Sequence, residues 1–328
     1  MLAIPFLLAA ALPAADSQPS VKDVRATVDK SLPFLEKSSA TWRTEKKCVT
    51  CHQVPFTLWA LNDAKARGFN VDAAKLDDIT KWAIDFCATN ENNGKKTGGF
   101  HLTSVDLILS QAAMPPREDA LKVYPLFESL FATRQKADGS WREGNQVKIA
   151  NAEREADEVD TMWTLLALKS LELLGDKIPS DTRKGLTAER DKALAFLKDA
   201  KPGKRVDWLA LRMLVAKEYE SSERAVELQK ELQKEQNADG GWGYVRGGAS
   251  YPHTTGECLY ALGTMGQTGD DAGVKRAWKF LIDGQQPDGS WKALSRQSFS
   301  TNPGKITPIS IHWGTAWATL GLMKTLPK

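Results

Sequence analysis

The chain has 328 residues, of which 42% are hydrophobic and 26% charged, with a formal net charge of +3. This is an ordinary globular balance, long enough for one large core or two smaller ones. Basic and acidic residues are interspersed, so no Lys/Arg block marks a nucleic-acid surface.

Residues 1–15, MLAIPFLLAAALPAA, are uncharged and mostly apolar. The run is too short to span a bilayer. Ala14 and Ala15 precede Asp16 and offer a cleavage site, so the segment reads as a secretory signal peptide, although no Lys or Arg stands before the apolar run. A periplasmic or otherwise exported location is expected, with residues 16–328 as one mature domain. Nothing after residue 15 resembles a membrane span.

An amphipathic helix is predicted over residues 21–36. It is followed by Cys48-Val49-Thr50-Cys51-His52, a CxxCH motif. Two thiols at this spacing reach the two vinyl groups on one porphyrin edge and form thioethers. The adjacent imidazole is then held beneath the iron. The motif therefore predicts one covalent haem c, fixed by Cys48 and Cys51, with His52 as axial ligand. Attachment outside the cytoplasm agrees with the leader. A zinc site would need further ligands, and Cys51 and His52 are awkwardly adjacent for one tetrahedral ion. A thioredoxin-like dithiol should follow a strand, and none is visible. The sequence leaves the sixth ligand open among His253, His312, His101 and Met114, or a five-coordinate iron. Cys87 and Cys258 lie in apolar helical stretches and read as small core residues. A disulfide between them is the alternative.

Further along, one pattern repeats in register: Gln135…Asp138-Gly139-Ser140-Trp141, Gln236…Asp239-Gly240-Gly241-Trp242 and Gln285…Asp288-Gly289-Ser290-Trp291. The spacings imply a period of about 50, with a degenerate copy near Lys201-Pro202-Gly203 and another near residues 90–99, so six supersecondary units fit the chain. Amphipathic helices are predicted before the turns (21–36, 73–87, 117–134, 188–198, 222–236, 272–284). More apolar ones are predicted after them (56–67, 104–113, 161–174, 208–217, 256–265, 315–325). Helices apolar on most faces are buried, which predicts an inner ring inside an amphipathic outer ring. Asp-Gly supplies the tight turn, and Gln and Trp are expected to fasten neighbouring units.

The Gln-x-x-Asp-Gly-x-Trp element resembles the QW repeat of squalene–hopene cyclases and their relatives. That resemblance implies an all-α fold, an α6/α6 toroid with a central cavity. Class II cyclases of this kind carry Asp-x-Asp-Asp-Thr, whose central Asp protonates an alkene. The matching stretch here is Asp157-Glu158-Val159-Asp160-Thr161. Asp157, Asp160 and Thr161 match, but Val159 occupies the acid position and cannot donate a proton. Asp157 and Asp160 are expected to cap the helix that follows. Tyr251–Cys258 superficially resembles a His-containing segment of prenyltransferase zinc sites, but its Asp-x-Cys partner is missing.

Matching Ala60-Leu61, Ala167-Leu168 and Ala261-Leu262 places His52, Val159 and His253 at equivalent positions. Pairing these with Thr319-Leu320 places Ile311 there too, with His312 one residue later. The expectation is a haem in one mouth of the barrel, lined by His253 or His312. The function expected is a monohaem cytochrome passing electrons to an unknown redox partner. The alternatives are a haem enzyme with an apolar small molecule in the cavity, or a cyclase-like enzyme.

Overall fold

A computed structural model describes residues 18–49, 53–89, 91–92, 95–96, 101–142, 153–201, 203–294 and 305–327. The leader at 1–15, Cys51 and His52 lie outside them.

Among the described residues, twelve α-helices alternate between two rings. The outer ring is α1 (Val21–Lys46), α3 (Ala73–Thr89), α5 (Glu118–Arg134), α7 (Ser180–Leu197), α9 (Ser222–Lys234) and α11 (Ala272–Gly284). The inner ring is α2 (Val54–Ala66), α4 (His101–Gln111), α6 (Glu153–Glu172), α8 (Val206–Tyr219), α10 (Pro252–Thr264) and α12 (Pro308–Lys324). Two short strands, β1 (Glu91–Asn92) and β2 (Lys95–Lys96), pair antiparallel between α3 and α4. Each inner helix packs on the next, from α2 through α12, and α12 returns to α2. The fold is an α6/α6 toroid, as the repeat predicts.

Burial follows the hydrophobic pattern. In α8 every side chain from Val206 to Ala216 is buried. In α9 only Ala225, Leu228 and Leu232 are buried, one stripe at helical spacing. In α11 the stripe is Val274, Ala277, Trp278 and Leu281. A fully buried large apolar side chain contributes about 1.5–3 kcal/mol, so these stripes hold the outer helices to the ring. Where α10 crosses α12, a side chain at Gly256 would meet the Trp317 backbone at 2.3 Å. Glycine there lets the two backbones touch.

The repeated turn is a fastener between units. The Gln135 amide donates to the Gly139 carbonyl of its own turn (3.0 Å) and to the Glu189 carbonyl on the next outer helix, α7 (2.8 Å). Gln236 does the same to Gly240 and to Gly273 on α11, both at 2.8 Å. The Trp indoles of 141, 242 and 291 donate back to the carbonyls of Phe131, Leu232 and Leu281. The Trp backbone N–H groups donate to Thr161, Thr255 and Thr315 on the inner helices, each at 3.0 Å. Gly139, Gly240 and Gly289 all have φ near +90°, a conformation open to glycine at little cost.

Four helices extend well past their predicted limits, α7 beginning at Ser180 and α12 at Pro308 as well as the two that follow. Helix α1 continues ten residues past Glu36 to Lys46, through a stretch whose apolar period has faded. Tertiary contact replaces the pattern, with the Arg43 guanidinium over the Trp82 ring at 4.9 Å. Helix α6 starts at Glu153, so the acidic run before Thr161 is helical. Two of its carboxylates reach towards α8: Glu155 accepts from the Arg205 N–H (2.7 Å) and Glu158 from the Trp208 indole (2.7 Å).

Candidate functional site

All six inner helices follow an outer helix across a connection, so they run parallel and their N-termini share one end of the toroid. Cys48 and Val49, the described part of the motif, stand at that end, in the α1–α2 connection. Lys47 ends α1 in the left-handed conformation, with φ 50°. Cys48 and Val49 follow, both buried. Cys87 and Cys258 are thiols outside any disulfide. Burial pushes the Cys87 thiol up to about 12, and Cys48 adds to the shift, so the two sulfurs lie in one neighbourhood. Burial raises the Cys258 thiol well above its usual range, with Glu257 and Asp207 adding to it. The Cys87–Cys258 alternative is therefore not realised, and both are core thiols.

Helices on either side of the motif present buried polar atoms that find no hydrogen-bond partner among the described residues. They are Ser39 Oγ and Trp42 Nε1 near the end of α1, and Gln53 Oε1 at the start of α2. A buried polar group left unbonded costs about 1–3 kcal/mol, so three flanking one short connection point to a polar group that completes it.

The histidines separate by role. His101 opens α4 at the motif end. His253 opens α10 there, its ring 4.1 Å from that of Trp313 and its Nε2 3.4 Å from Glu257 Oε1. His312 is fully buried between units, with Nδ1 2.9 Å from Ser38 Oγ and Nε2 3.3 Å from Thr57 Oγ1. Met114 does not join them. It follows the C-terminal end of α4, a helix of 11 residues, so about 16 Å of helix axis separates it from the motif end. The turn hydrogen bonds also correct the register of the last unit. Thr315, not Trp313, is the counterpart of Thr161 and Thr255, which makes Trp313 equivalent to Val159 and His253.

The acidic stretch is occupied with structure. Asp157 and Asp160 lie inside α6 and do not cap it. Asp157 accepts from Lys136 (2.8 Å) and from Arg142 of the preceding turn. Val159 is buried among apolar neighbours. Glu158 is held by Trp208 and Arg154. Next to it is a network that no sequence motif announces. Arg205 is paired with Asp207, both buried, and its guanidinium lies 5.0 Å from the Tyr244 ring centre. Among the described residues no group of three or more His, Cys, Asp or Glu could hold a metal ion.

Aromatic side chains meet at the barrel axis. Trp59 of α2 lies 6.1 Å from Trp163 of α6, 5.5 Å from Tyr260 of α10 and 5.6 Å from Trp317 of α12. Helices α2, α6 and α10 are not neighbours in the ring, so these contacts cross its centre. At this level aromatic rings converge on the axis, Trp59 and Trp317 buried and Trp163 and Tyr260 partly buried.

Residues 199–326 match the squalene-hopene cyclase C-terminal domain. No curated protein matches the chain. Among solved structures it is similar to ent-copalyl diphosphate synthase from Streptomyces platensis, at 16% identity and a TM-score of 0.49 over 82% of this chain. The chain spans only 50% of that protein's length. It is similar over 93% of its length to the type II terpene cyclase MstE from Scytonema, with 13% identity, 98% of that chain covered and a TM-score of 0.55. An unsaturated glucuronyl hydrolase from Streptococcus agalactiae is as similar in shape, with 11% identity, 94% and 93% coverage and a TM-score of 0.60. Cyclases and glycan-acting enzymes share this toroid, so these likenesses speak for the fold alone. No helix among the described residues is long and apolar enough to cross a membrane.

Proposed function

We propose that this chain is an exported monohaem c-type cytochrome on a cyclase-like toroid, passing single electrons to a redox partner. The observation that carries the reading is the place of Cys48-Val49-Thr50-Cys51-His52. It occupies the connection into α2, where three other units carry the Gln–Trp fastener. The unbonded Ser39 Oγ and Trp42 Nε1 are donors that suit carboxylate substituents.

Cys48 and Cys51 would anchor the haem, and His52 would be the axial base. When bound, the group supplies a one-electron Fe(III)/Fe(II) couple. His253 and His312 are the candidates for the distal side, the first with Nε2 3.4 Å from Glu257 Oε1 and the second with both ring nitrogens facing hydroxyl groups. The aromatic rings that meet on the axis narrow the room for an apolar substrate, which favours electron transfer. Val159 at the acid position argues against the cyclase reaction.

The test is export of the chain in cells competent for cytochrome c maturation, followed by a pyridine haemochrome assay. About one covalent haem per chain is expected, lost in Cys51→Ser. An exported, folded chain without covalent haem would overturn the proposal.

A further inference from the structure

The end of the toroid opposite the motif holds a pocket of about 660 Å³. Arg25, Asp63, Arg67, Lys324, Leu326 and Pro327 line it, with α1, α2 and α12 supplying the charged groups. This volume is in the range that holds a small molecule.

Two side chains at the end of α2 make the pocket unusual. Asp63 is buried, at 8% exposure, yet among the described residues no hydrogen bond or ion pair engages its carboxyl. Arg67, one helical turn later, has a guanidinium that likewise makes no hydrogen bond or ion pair with the described residues. An Asp and an Arg at this spacing on a helix can pair directly. Here they do not, and both line the same space.

Basic residues at helix C-termini often just offset the partial negative charge of the carbonyl ends. Arg25 fits that role, reaching the Arg67 carbonyl at 3.5 Å while stacking over Phe69. Lys217 also fits it, donating to the Thr264 carbonyl. The Arg67 side chain reaches no carbonyl among the described residues. Lys324 projects over the Tyr260 ring, 4.9 Å from its centre, at the edge of the axial aromatic cluster.

We infer that this pocket is a binding site for a small oxyanion, a carboxylate or phosphate group held by Arg67 and Lys324 with the Asp63 carboxyl beside it. Three cations face one acid, so the pocket is net positive with Asp63 in either form. Burial raises the Asp63 carboxyl above its usual range, against the opposing pull of Lys324 and Arg67. A protonated Asp63 donates to the oxyanion, which satisfies its own buried oxygen at the same time. The site does not depend on the haem reading, since it lies at the other end of the barrel and uses none of the motif residues.

The experiment is calorimetric titration of the full chain with succinate and, separately, inorganic phosphate. Saturable binding of at least one is expected, with a Kd between about 10 μM and 1 mM. Arg67→Gln should weaken it at least about tenfold, and Lys324→Gln should weaken it too. Because the Arg67 guanidinium makes no hydrogen bond or ion pair with the described residues, Arg67→Gln should melt close to the wild type, which separates lost binding from lost folding. Binding by phosphate alone would identify the ligand as a phosphate, and by succinate alone as a carboxylate. The inference is overturned if neither probe binds below about 10 mM, or if Arg67→Gln and Lys324→Gln bind as the wild type does.

Discussion

The Gln285 side chain in the last turn donates to the Thr27 carbonyl on the first helix at 2.9 Å, closing the ring of units. The same amide also bonds Gly289 at 3.1 Å within its own turn. The Gln135 and Gln236 fasteners join units that are consecutive in sequence, but this one joins segments 258 residues apart. Chain connectivity does not hold that seam, so α1 must be held to α11 and α12 by packing and by this turn.

Substitutions at the seam should therefore be costly. Gln285→Ala removes both bonds and should destabilise the chain by about 1–2 kcal/mol. Gly289→Ala should cost more, about 2–4 kcal/mol, because the new Cβ adds backbone strain and a clash. Gly289 has φ 88°, and a Cβ there would lie 2.0 Å from the Lys30 carbonyl oxygen. Gly266 is the control, with φ 90° and no atom within 4 Å of where an alanine methyl group would sit. Gly266→Ala should cost only the strain, about 1–2 kcal/mol. Denaturant unfolding of the three variants checks the order, and equal losses at Gly289 and Gly266 would show that the seam contact contributes nothing.

The fasteners are legible in the sequence because each is a local string whose residues recur in register. What crosses the ring is not. An inner helix is apolar on every face, so nothing in the order of residues marks Trp59, Trp163 and Tyr260 as the ones that meet on the axis. The register of α12 escapes the sequence for the same reason. Ala-Leu pairs recur freely in buried helices, and Thr315 is identified only by the Trp291 N–H that it accepts. Asp63 and Arg67 have the spacing of an ordinary solvated pair, since sequence does not show that both line one pocket with Lys324. The motif at Cys48 is legible because the covalent attachment proposed for it would need fixed spacing rather than tertiary context.

Stability should fall as the pH rises, through Glu189. Burial pushes its carboxyl up to about 8, with the Glu128 carboxylate adding to the shift and Lys192 opposing it. In the unfolded chain the group titrates near 4.5. The folded state therefore holds the proton more tightly. Its contribution is fully present below pH 4.5, is lost progressively between 4.5 and about 8, and is constant above that. Glu128 is raised in the same direction by burial. Glu189→Gln keeps the shape without the charge, so its melting temperature should match the wild type at pH 4.5 and exceed it at pH 8. A parallel pair of melting curves across that range would assign the drift to other groups.

Thr161 and Asp157 sit in the stretch resembling a cyclase acid motif, yet their contacts are structural and unequal. Thr161 accepts the Trp141 backbone N–H at a fully buried site. Thr161→Val keeps the volume and strands that donor, which should cost about 1–3 kcal/mol. Asp157 is reached by Lys136 and Arg142 near the surface. Asp157→Asn should cost about 0–1 kcal/mol, as for other partly exposed ion pairs. Thermal unfolding of both variants tests the difference, and a larger loss in Asp157→Asn would reverse the ranking.

The axial cluster gives the sharpest contrast with an open cavity. Trp163 contacts Trp59 at 6.1 Å and Trp317 at 5.5 Å, bridging α6 to α2 and α12 across the centre. If these rings fill the axis, the wild type has no room there for an apolar molecule, and truncating one ring makes that room. Trp163 is partly buried, so Trp163→Ala should lose about 2–3 kcal/mol, less than the cost of about 3–5 kcal/mol for a fully buried aromatic. Part of that loss should be recovered by an apolar guest, because an enclosed apolar void stays dry and binds one. Melting in saturating benzene should therefore raise Trp163→Ala and leave the wild type unchanged. An equal rise in the wild type would mean that a void already exists on the axis, and would return the apolar-substrate reading to consideration.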